Sequence, residues 1–427
     1  MIMNESAIES LILEAESVLA ERFSRYDKTA DICTARIMNA FKSERVSASH
    51  FAGTDGYGYD DLGRDTLDRI YARVMGAEAA FVRTSLTGGT HALTVGLFGL
   101  LRPGDVLLSV TGKPYDTLDD VIGISGKRDN SGSLADFGVS YREVSLRADG
   151  TLDMPAILSA IKDCKKHLKV VFFQRSKGYM NRKTLSIAEM EAAFAEIRSA
   201  TDAFIMVDNC YGEFCETREP THVGADLIVG SLIKNPGGGM AESGGYLAGT
   251  GRAIELCGYR MTAPGVGLEV GASLGQNKNM YKGLFYAPHS VKEALKTATL
   301  AAYLFEKIGM VCEPRYLDDR YDIIESVQCG SPELLIAFCR GIQYGSPIDA
   351  FVTCEPWAMP GYSDPVIMAA GTFTQGSSLE LSADGPVRAP YTAYLQGGLT
   401  YESGKIGVAS ALAEVLRTAQ AQAQAQL

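Results

Sequence analysis

From residue 5 to residue 41, apolar residues recur among charged ones at Ile8, Leu11, Leu13, Val18, Leu19, Ile32, Ile37 and Met38. Apolar residues three and four apart share a helix face, so this stretch predicts a helical N-terminal arm. A Gly/Tyr-rich loop follows over residues 53–63. Next comes a helix over 64–75, with Leu67, Ile70, Tyr71 and Val74 on one side. Beyond residue 79 the period changes. Apolar runs at 80–83, 106–110, 139–144, 169–174, 203–208, 227–230 and 245–249 have the length and residue types of strands. Helical patterns, such as 187–199, lie between several of them. This alternation predicts an α/β fold with a large, mostly parallel seven-stranded sheet covered on both faces. Ligands of such sheets bind beyond the carboxyl ends of the strands. Those ends carry Gln174, Asp208 and, after the next strand, Lys234. The pattern is less regular over 281–289. A long helix over 291–308 then opens a smaller α+β domain. The expected division is a helical arm at 1–55, a large domain at 56–289 and a small domain at 290–427. No internal repeat is visible. The Ala/Gln tail over 418–427 is low in complexity and is expected to fray.

Composition narrows the function classes. The chain has 427 residues, 46% of them apolar and 21% charged, enough for a large core. A net charge of −11 argues against a nucleic-acid partner recruited by bulk charge. Nine cysteines show no C-x-x-C pair and no metal-like Cys/His spacing. They read as reduced thiols of a cytoplasmic protein, with no metal site. The start of the chain has no signal-peptide pattern, and no apolar run approaches the roughly 20 residues of a membrane span.

The chemistry gathers around two strand ends. Lys234 lies in Ser-Leu-Ile-Lys-Asn-Pro-Gly-Gly-Gly, 26 residues after Asp208, which closes an apolar run. A lysine that forms a Schiff base, with an aspartate that keeps a pyridine nitrogen protonated, is the core of a pyridoxal 5′-phosphate (PLP) enzyme. Ser231 can help hold the cofactor's phosphate. Gly88, Gly89 and Thr90 follow a strand and open a helix, where free N–H groups bind an anion. A tight turn explains those glycines equally well. Tyr115 can stack on the pyridine ring or hand a proton to a leaving group. Among 20 tyrosines it can also be an ordinary loop residue. Tyr211 can hydrogen-bond the cofactor's 3′-oxygen. An amino-acid substrate needs a guanidinium fork for its carboxylate. Arg388 is the first candidate and Arg175 and Arg182 are rivals, each with a structural ion pair as its alternative. His91 and His289 read as structural. No G-x-G-x-x-G precedes a helix near residue 88, which leaves a dinucleotide reading weak.

Several segments together resemble one known family. They are Thr-Gly-Gly-Thr-His-Ala (87–92), Pro-Tyr-Asp-Thr-Leu (114–118), Gln-Arg-Ser-Lys-Gly-Tyr (174–179), Val-Asp-Asn-Cys-Tyr-Gly-Glu-Phe (207–214), the lysine segment (231–239) and Gln-Gly-Gly-Leu-Thr-Tyr (396–401). The set is similar to the aluminium resistance proteins, methionine γ-lyase-like or cystathionine β-lyase-like members of the Cys/Met-metabolism PLP enzymes. The likeness spans residues 30–411. It implies the PLP-dependent transferase fold type I and a homotetramer built as a dimer of dimers, with active sites at the dimer interface. In the γ-lyases a Tyr-x-Arg segment reaches the neighbour's phosphate. Tyr57, Tyr59 and Arg64 lie in a comparable segment at a different spacing, with Tyr59 the candidate cofactor contact. The γ-lyases also carry Ser-x-Thr-Lys, whereas Ile233 here has no hydroxyl. The implied reaction is a carbon–sulfur elimination from a sulfur-containing amino acid of the cystathionine, methionine or cysteine type. Lys234 takes the α-proton, and the products are a thiol, ammonia and a 2-oxo acid. An aminotransferase or an aldolase acting on an amino acid is the alternative.

Overall fold

The computed structural model describes residues 5–125, 130–180 and 182–425. The seven apolar runs form one sheet: β1 (Ala79–Arg83), β2 (Val106–Ser109), β3 (Ser140–Glu143), β4 (Leu168–Gln174), β5 (Phe204–Asp208), β6 (Leu227–Ser231) and β7 (Gly245–Gly249). Their order is β1-β7-β6-β5-β4-β2-β3. Pairing is parallel from β3 through β6, and β7 runs antiparallel to both of its neighbours. Gln174 pairs with Asp208, and Asp208 with Val229, so the ends of β4 and β5 come level and β6 runs two residues further.

The helices are α1 (Glu5–Ser43), α2 (Leu62–Met75), α3 (Gly89–Leu100), α4 (Asp119–Ile122), α5 (Met154–Cys164), α6 (Ile187–Ala200), α7 (Gly251–Met261), α8 (Asn277–Lys307), α9 (Pro332–Tyr344) and α10 (Tyr401–Ala425). Side chains of β4 alternate between two cores. Val170 and Phe172 pack with Leu93 and Leu97 of α3 and Ile254 of α7. Val171 and Phe173 pack with Tyr71 of α2, Phe194 of α6 and Leu284 of α8. A side chain of this size gains roughly 1.5–3 kcal/mol by leaving water. Helices on both faces are therefore what the continuous apolar strands require.

A second sheet is antiparallel throughout. Its strands β8 (Val311–Glu313), β9 (Glu325–Gln328), β10 (Val366–Ala369), β11 (Ser382–Pro386) and β12 (Thr392–Gln396) lie in the order β10-β11-β12-β9-β8. Its core includes Phe338 of α9 and Leu412 of α10.

Three expectations are corrected. The helical arm is one 39-residue helix, but its buried line runs through Ile8, Ile12, Ala15, Leu19, Tyr26, Ala30, Cys33, Ile37 and Ala40. That is a seam of three- and four-residue steps with one seven-residue step from Leu19 to Tyr26, built partly of small residues and laid against α8. Leu13, Val18, Ile32 and Met38 face outward. The long helix expected from 291 already starts at Asn277, so residues 289 and 290 lie inside it. Gly283 and Pro288 hid its first turns. Gly283 is needed because a Cβ there would stand 2.4 Å from the Gly237 carbonyl oxygen, in the loop after Lys234. The Ala/Gln tail continues α10 to Ala425, since alanine and glutamine favour helix. Among the described residues, no helix is long and apolar enough to cross a membrane.

Candidate functional site

Lys234 sits just past β6, where the chain turns through Asn235–Gly237. Asn235 Nδ2 donates to the carbonyls of Tyr211 and Glu213 at 2.9 and 2.8 Å, which ties this turn to the one after β5. Lys234 Nζ donates to the Tyr211 hydroxyl and to the Ser377 carbonyl. Tyr211 belongs to the large sheet's loops, and Ser377 to the segment between β10 and β11. The amine therefore bridges the two sheets. Burial pushes it down to about 8, against the pull of Cys210, Asp384, Glu213 and Asp208.

Asp208 ends β5, is 4% exposed and accepts the Cys210 N–H at 3.1 Å. Burial raises its carboxyl to about 6, although the Cys210 N–H, Arg182 and Lys234 favour the anion. Tyr115 donates to or accepts from the Tyr362 hydroxyl at 2.8 Å, and its ring lies 5.5 Å from that of Tyr179. Tyr179 in turn stands 5.0 Å from Tyr394. Burial holds the Tyr115 and Tyr211 hydroxyls well above their usual range. Both hydroxyls thus keep their protons at neutral pH.

The phosphate candidates also converge. Gly88 caps α3 in an extended conformation, and a Cβ there would meet nothing within 4 Å. A Cβ on Gly89 would stand 3.3 Å from Cys210 Sγ and 3.5 Å from Ser231 Cβ, so helix α3 starts against the end of β6. Ser231 Oγ is sealed from solvent and has no hydrogen-bond partner. A donor left over beside a helix N-terminus and open space fits an anion held there. The residues present fit PLP on this ground. Thr90 Oγ1 bonds Thr117 Oγ1 at 2.8 Å, which leaves its second hydrogen-bonding capacity at the same helix start.

Two of the three arginines are spent elsewhere. Arg175 is fully buried, with Glu216 at 2.8 Å, Glu219 at 3.5 Å, and bonds to Asn209 and the Gly212 carbonyl. Arg182 donates to the carbonyls of Thr111, Gln174 and Ser176, which fixes the loop after β4. Burial lowers it to about 10, while Asp208 pulls the other way. Neither offers a fork to a substrate. Sequence pattern shows where an arginine falls but not which carbonyls and carboxylates surround it. Arg388 remains partly exposed, paired with Asp364 at 2.9 Å and facing Asp116, next to Tyr115, at 3.8 Å. Such a surface pair is weak and exchangeable.

Tyr59 is 62% exposed and stacked on Tyr57 at 5.5 Å. Arg64 is buried and holds this loop through the carbonyls of Gly58 and Gly271, so it is not free to reach a phosphate. His91 accepts the Thr87 N–H at the start of α3, a structural role, and His289 is exposed. Sequence reasoning missed Ser377, Asp384, Tyr179, Tyr362 and Cys210. Tyr179 and Cys210 lie within the segments that carry the family resemblance, and an aspartate between small residues in Ser-Ala-Asp-Gly-Pro was the available signal for Asp384.

Comparison with known proteins concerns the chain as a whole. The family model described as methionine gamma-lyase matches residues 8–416. Uncharacterized protein YnbB of Bacillus subtilis (strain 168) is 49% identical over 96% of this chain and 97% of its own length. A solved structure from Clostridium acetobutylicum, named as a candidate cystathionine beta-lyase involved in aluminum resistance, is 46% identical. It covers 96% of each chain with a TM-score of 0.92. A carbon-sulfur lyase involved in aluminum resistance from Clostridium novyi NT is 47% identical, covers 96% of this chain and 99% of its own, and has a TM-score of 0.91.

Proposed function

The chain belongs to the methionine gamma-lyase family, and on that premise we propose that it is a PLP-dependent carbon–sulfur lyase acting on a sulfur-containing amino acid. The observation that carries this reading is the Lys234 amine, lowered to about 8 and held between Tyr211 and Ser377 beside buried Asp208. When bound, PLP supplies an electron sink for negative charge at the substrate's α-carbon. Gly88, Gly89, Thr90 and Ser231 would hold its phosphate, Asp208 its ring nitrogen, Tyr211 its 3′-oxygen and Tyr115 its ring face. Lys234 in its neutral form takes the α-proton. Tyr115, kept protonated by burial, hands a proton to the departing sulfur on the β- or γ-carbon. Arg388 would exchange Asp364 for the substrate carboxylate. The exposed Tyr57–Tyr59 loop is available to a neighbouring copy, which supports a homotetramer with shared sites.

The test is release of thiol, ammonia and 2-oxo acid from L-cystathionine, L-methionine and L-cysteine by PLP-loaded protein. Failure with all three would remove the lyase reading. Transfer of the amino group to an added 2-oxo acid, without thiol release, would put the aminotransferase in its place.

A further inference from the structure

Asp384 lies on β11, 4% exposed, against a wall of tyrosines. Its Oδ2 accepts the Ser377 hydroxyl at 2.6 Å. Gln396 Nε2 donates to that same hydroxyl oxygen. A hydroxyl has one proton, so the serine's proton is committed to the carboxylate. Ser377 is thereby gripped from two sides, and its carbonyl accepts from Lys234 Nζ. The same segment is tied down at two further points. The Leu379 N–H donates to the carbonyl of Ile233, the residue before Lys234, at 2.9 Å. The Glu380 carboxylate accepts the N–H groups of Phe373 and Thr374, both at 2.8 Å.

We propose that Asp384 is a positioning residue for Lys234: acting through Ser377 it fixes where the amine sits, and by its charge it sets how readily that amine gives up its proton. The proposal rests on the reading of Lys234 as the base and adds the small sheet's part in that role. The groups facing Asp384 come from every element around it. They are Lys234 after β6, Tyr115, Tyr179 and Tyr211 after β2, β4 and β5, Tyr362 before β10, Tyr394 on β12 and Cys339 on α9. The phenols and the thiol are uncharged at neutral pH, since burial raises each of them. Lys234 is the cation in that set. From the other side Lys234 also faces Asp208, Cys210 and Glu213 of the turn after β5. Burial drives Glu213 and Cys210 toward their neutral forms. Burial raises Asp384 and Asp208 as well, but the Ser377 hydroxyl and Lys234 favour the Asp384 anion, and the Cys210 N–H, Arg182 and Lys234 that of Asp208, so these two carboxylates oppose the charge on the amine.

The test needs no substrate. Acetic anhydride acylates neutral amines, with acetate leaving and the amine's proton passing to water. Acetylation of Lys234 in the full-length, cofactor-stripped protein can be followed against pH by peptide mass spectrometry. In the parent protein it should rise with a midpoint near about 8. Asp384→Asn should lower the midpoint by about one pH unit, and Asp384→Glu should restore it. Ser377→Ala strips the carboxylate of its hydrogen bond and favours its neutral form. It should move the midpoint the same way by less, and it serves if Asp384→Asn does not fold. A midpoint unchanged in Asp384→Asn or Ser377→Ala, whatever happens to turnover, overturns the proposal. A shifted midpoint in a protein that cleaves no sulfur amino acid would uphold it and remove the lyase reading alone.

Discussion

Two groups at the site titrate nearer neutrality than they would in water. Lys234 is lowered to about 8 because a buried ammonium has lost its hydration. A lysine takes a proton only when neutral, so turnover should rise with pH through that region. Lys234→Ala should cut 2-oxo acid release by roughly 10²–10⁴-fold, measured with the amino acid that the parent protein uses best. Asp208 presents the opposite case, an acid raised from 3.8 to about 6. The folded chain therefore holds this proton more tightly than the unfolded one. Above about 6 the ionised carboxylate costs stability, and that cost fades as pH falls through about 6 toward 3.8. At neutral pH Asp208→Asn should raise the stability of the cofactor-free protein by up to about 3 kcal/mol, while turnover falls. A lower melting temperature in the variant would contradict this account. Lys234, Asp208, Tyr211 and Tyr115 were legible because each follows an apolar run or a glycine turn at a strand end. Asp384 was not, because nothing in a short strand of small residues says that the neighbouring sheet will bring a lysine to it.

At the scale of elements, the seven strands were readable because buried parallel strands are continuous apolar runs of limited length. The first turns of α8 were not, since Gly283 and Pro288 look like breakers. Gly283 is required because the helix passes close to the loop that follows Lys234. The start of α3 gives an element-scale prediction. Gly88 is extended, a conformation any residue adopts, and the space its Cβ would enter is open. Gly88→Ala should therefore change stability by no more than about 0.5 kcal/mol. The added methyl would, however, fill the volume proposed for the phosphate. PLP affinity, titrated by absorbance, should fall about tenfold while the thermal melt stays put. A melt that falls along with affinity would mean the glycine serves the turn itself. An unchanged affinity would remove the phosphate from this helix start.

Across the whole molecule, the lysine is useful only if two sheets keep a fixed relation, because one of its acceptors belongs to each. Lys177, in the loop between β4 and α6, is another side chain that spans them. It is fully buried, and its Nζ donates to the Glu313 carbonyl at the end of β8 and, at 3.3 Å, to Ser326 Oγ on β9. Around it lie Asp322 and Glu325, the latter paired with Arg320 at 2.5 Å. Burial draws Lys177 down and both acids up, Glu325 to about 7, and Glu325 keeps Arg320 as its partner, so removing Lys177 takes from buried Asp322 its main opposing charge. A loss of that kind costs roughly 3–5 kcal/mol, far more than any surface lysine. Lys177→Met keeps most of the volume and deletes the charge, so packing loss is a small part of the effect. The melting temperature should fall by several degrees, whereas exposed Lys166→Met should leave it within about one degree. The same loop carries Tyr179, which packs on Tyr115, so loosening it should also lower kcat under conditions where the variant is still folded. A variant that melts like the parent would show that α8 and the backbone bond from Leu379 to Ile233 hold the sheets in register without the ionic plug. A variant that melts lower but turns over normally would separate the stability of the cleft from its chemistry.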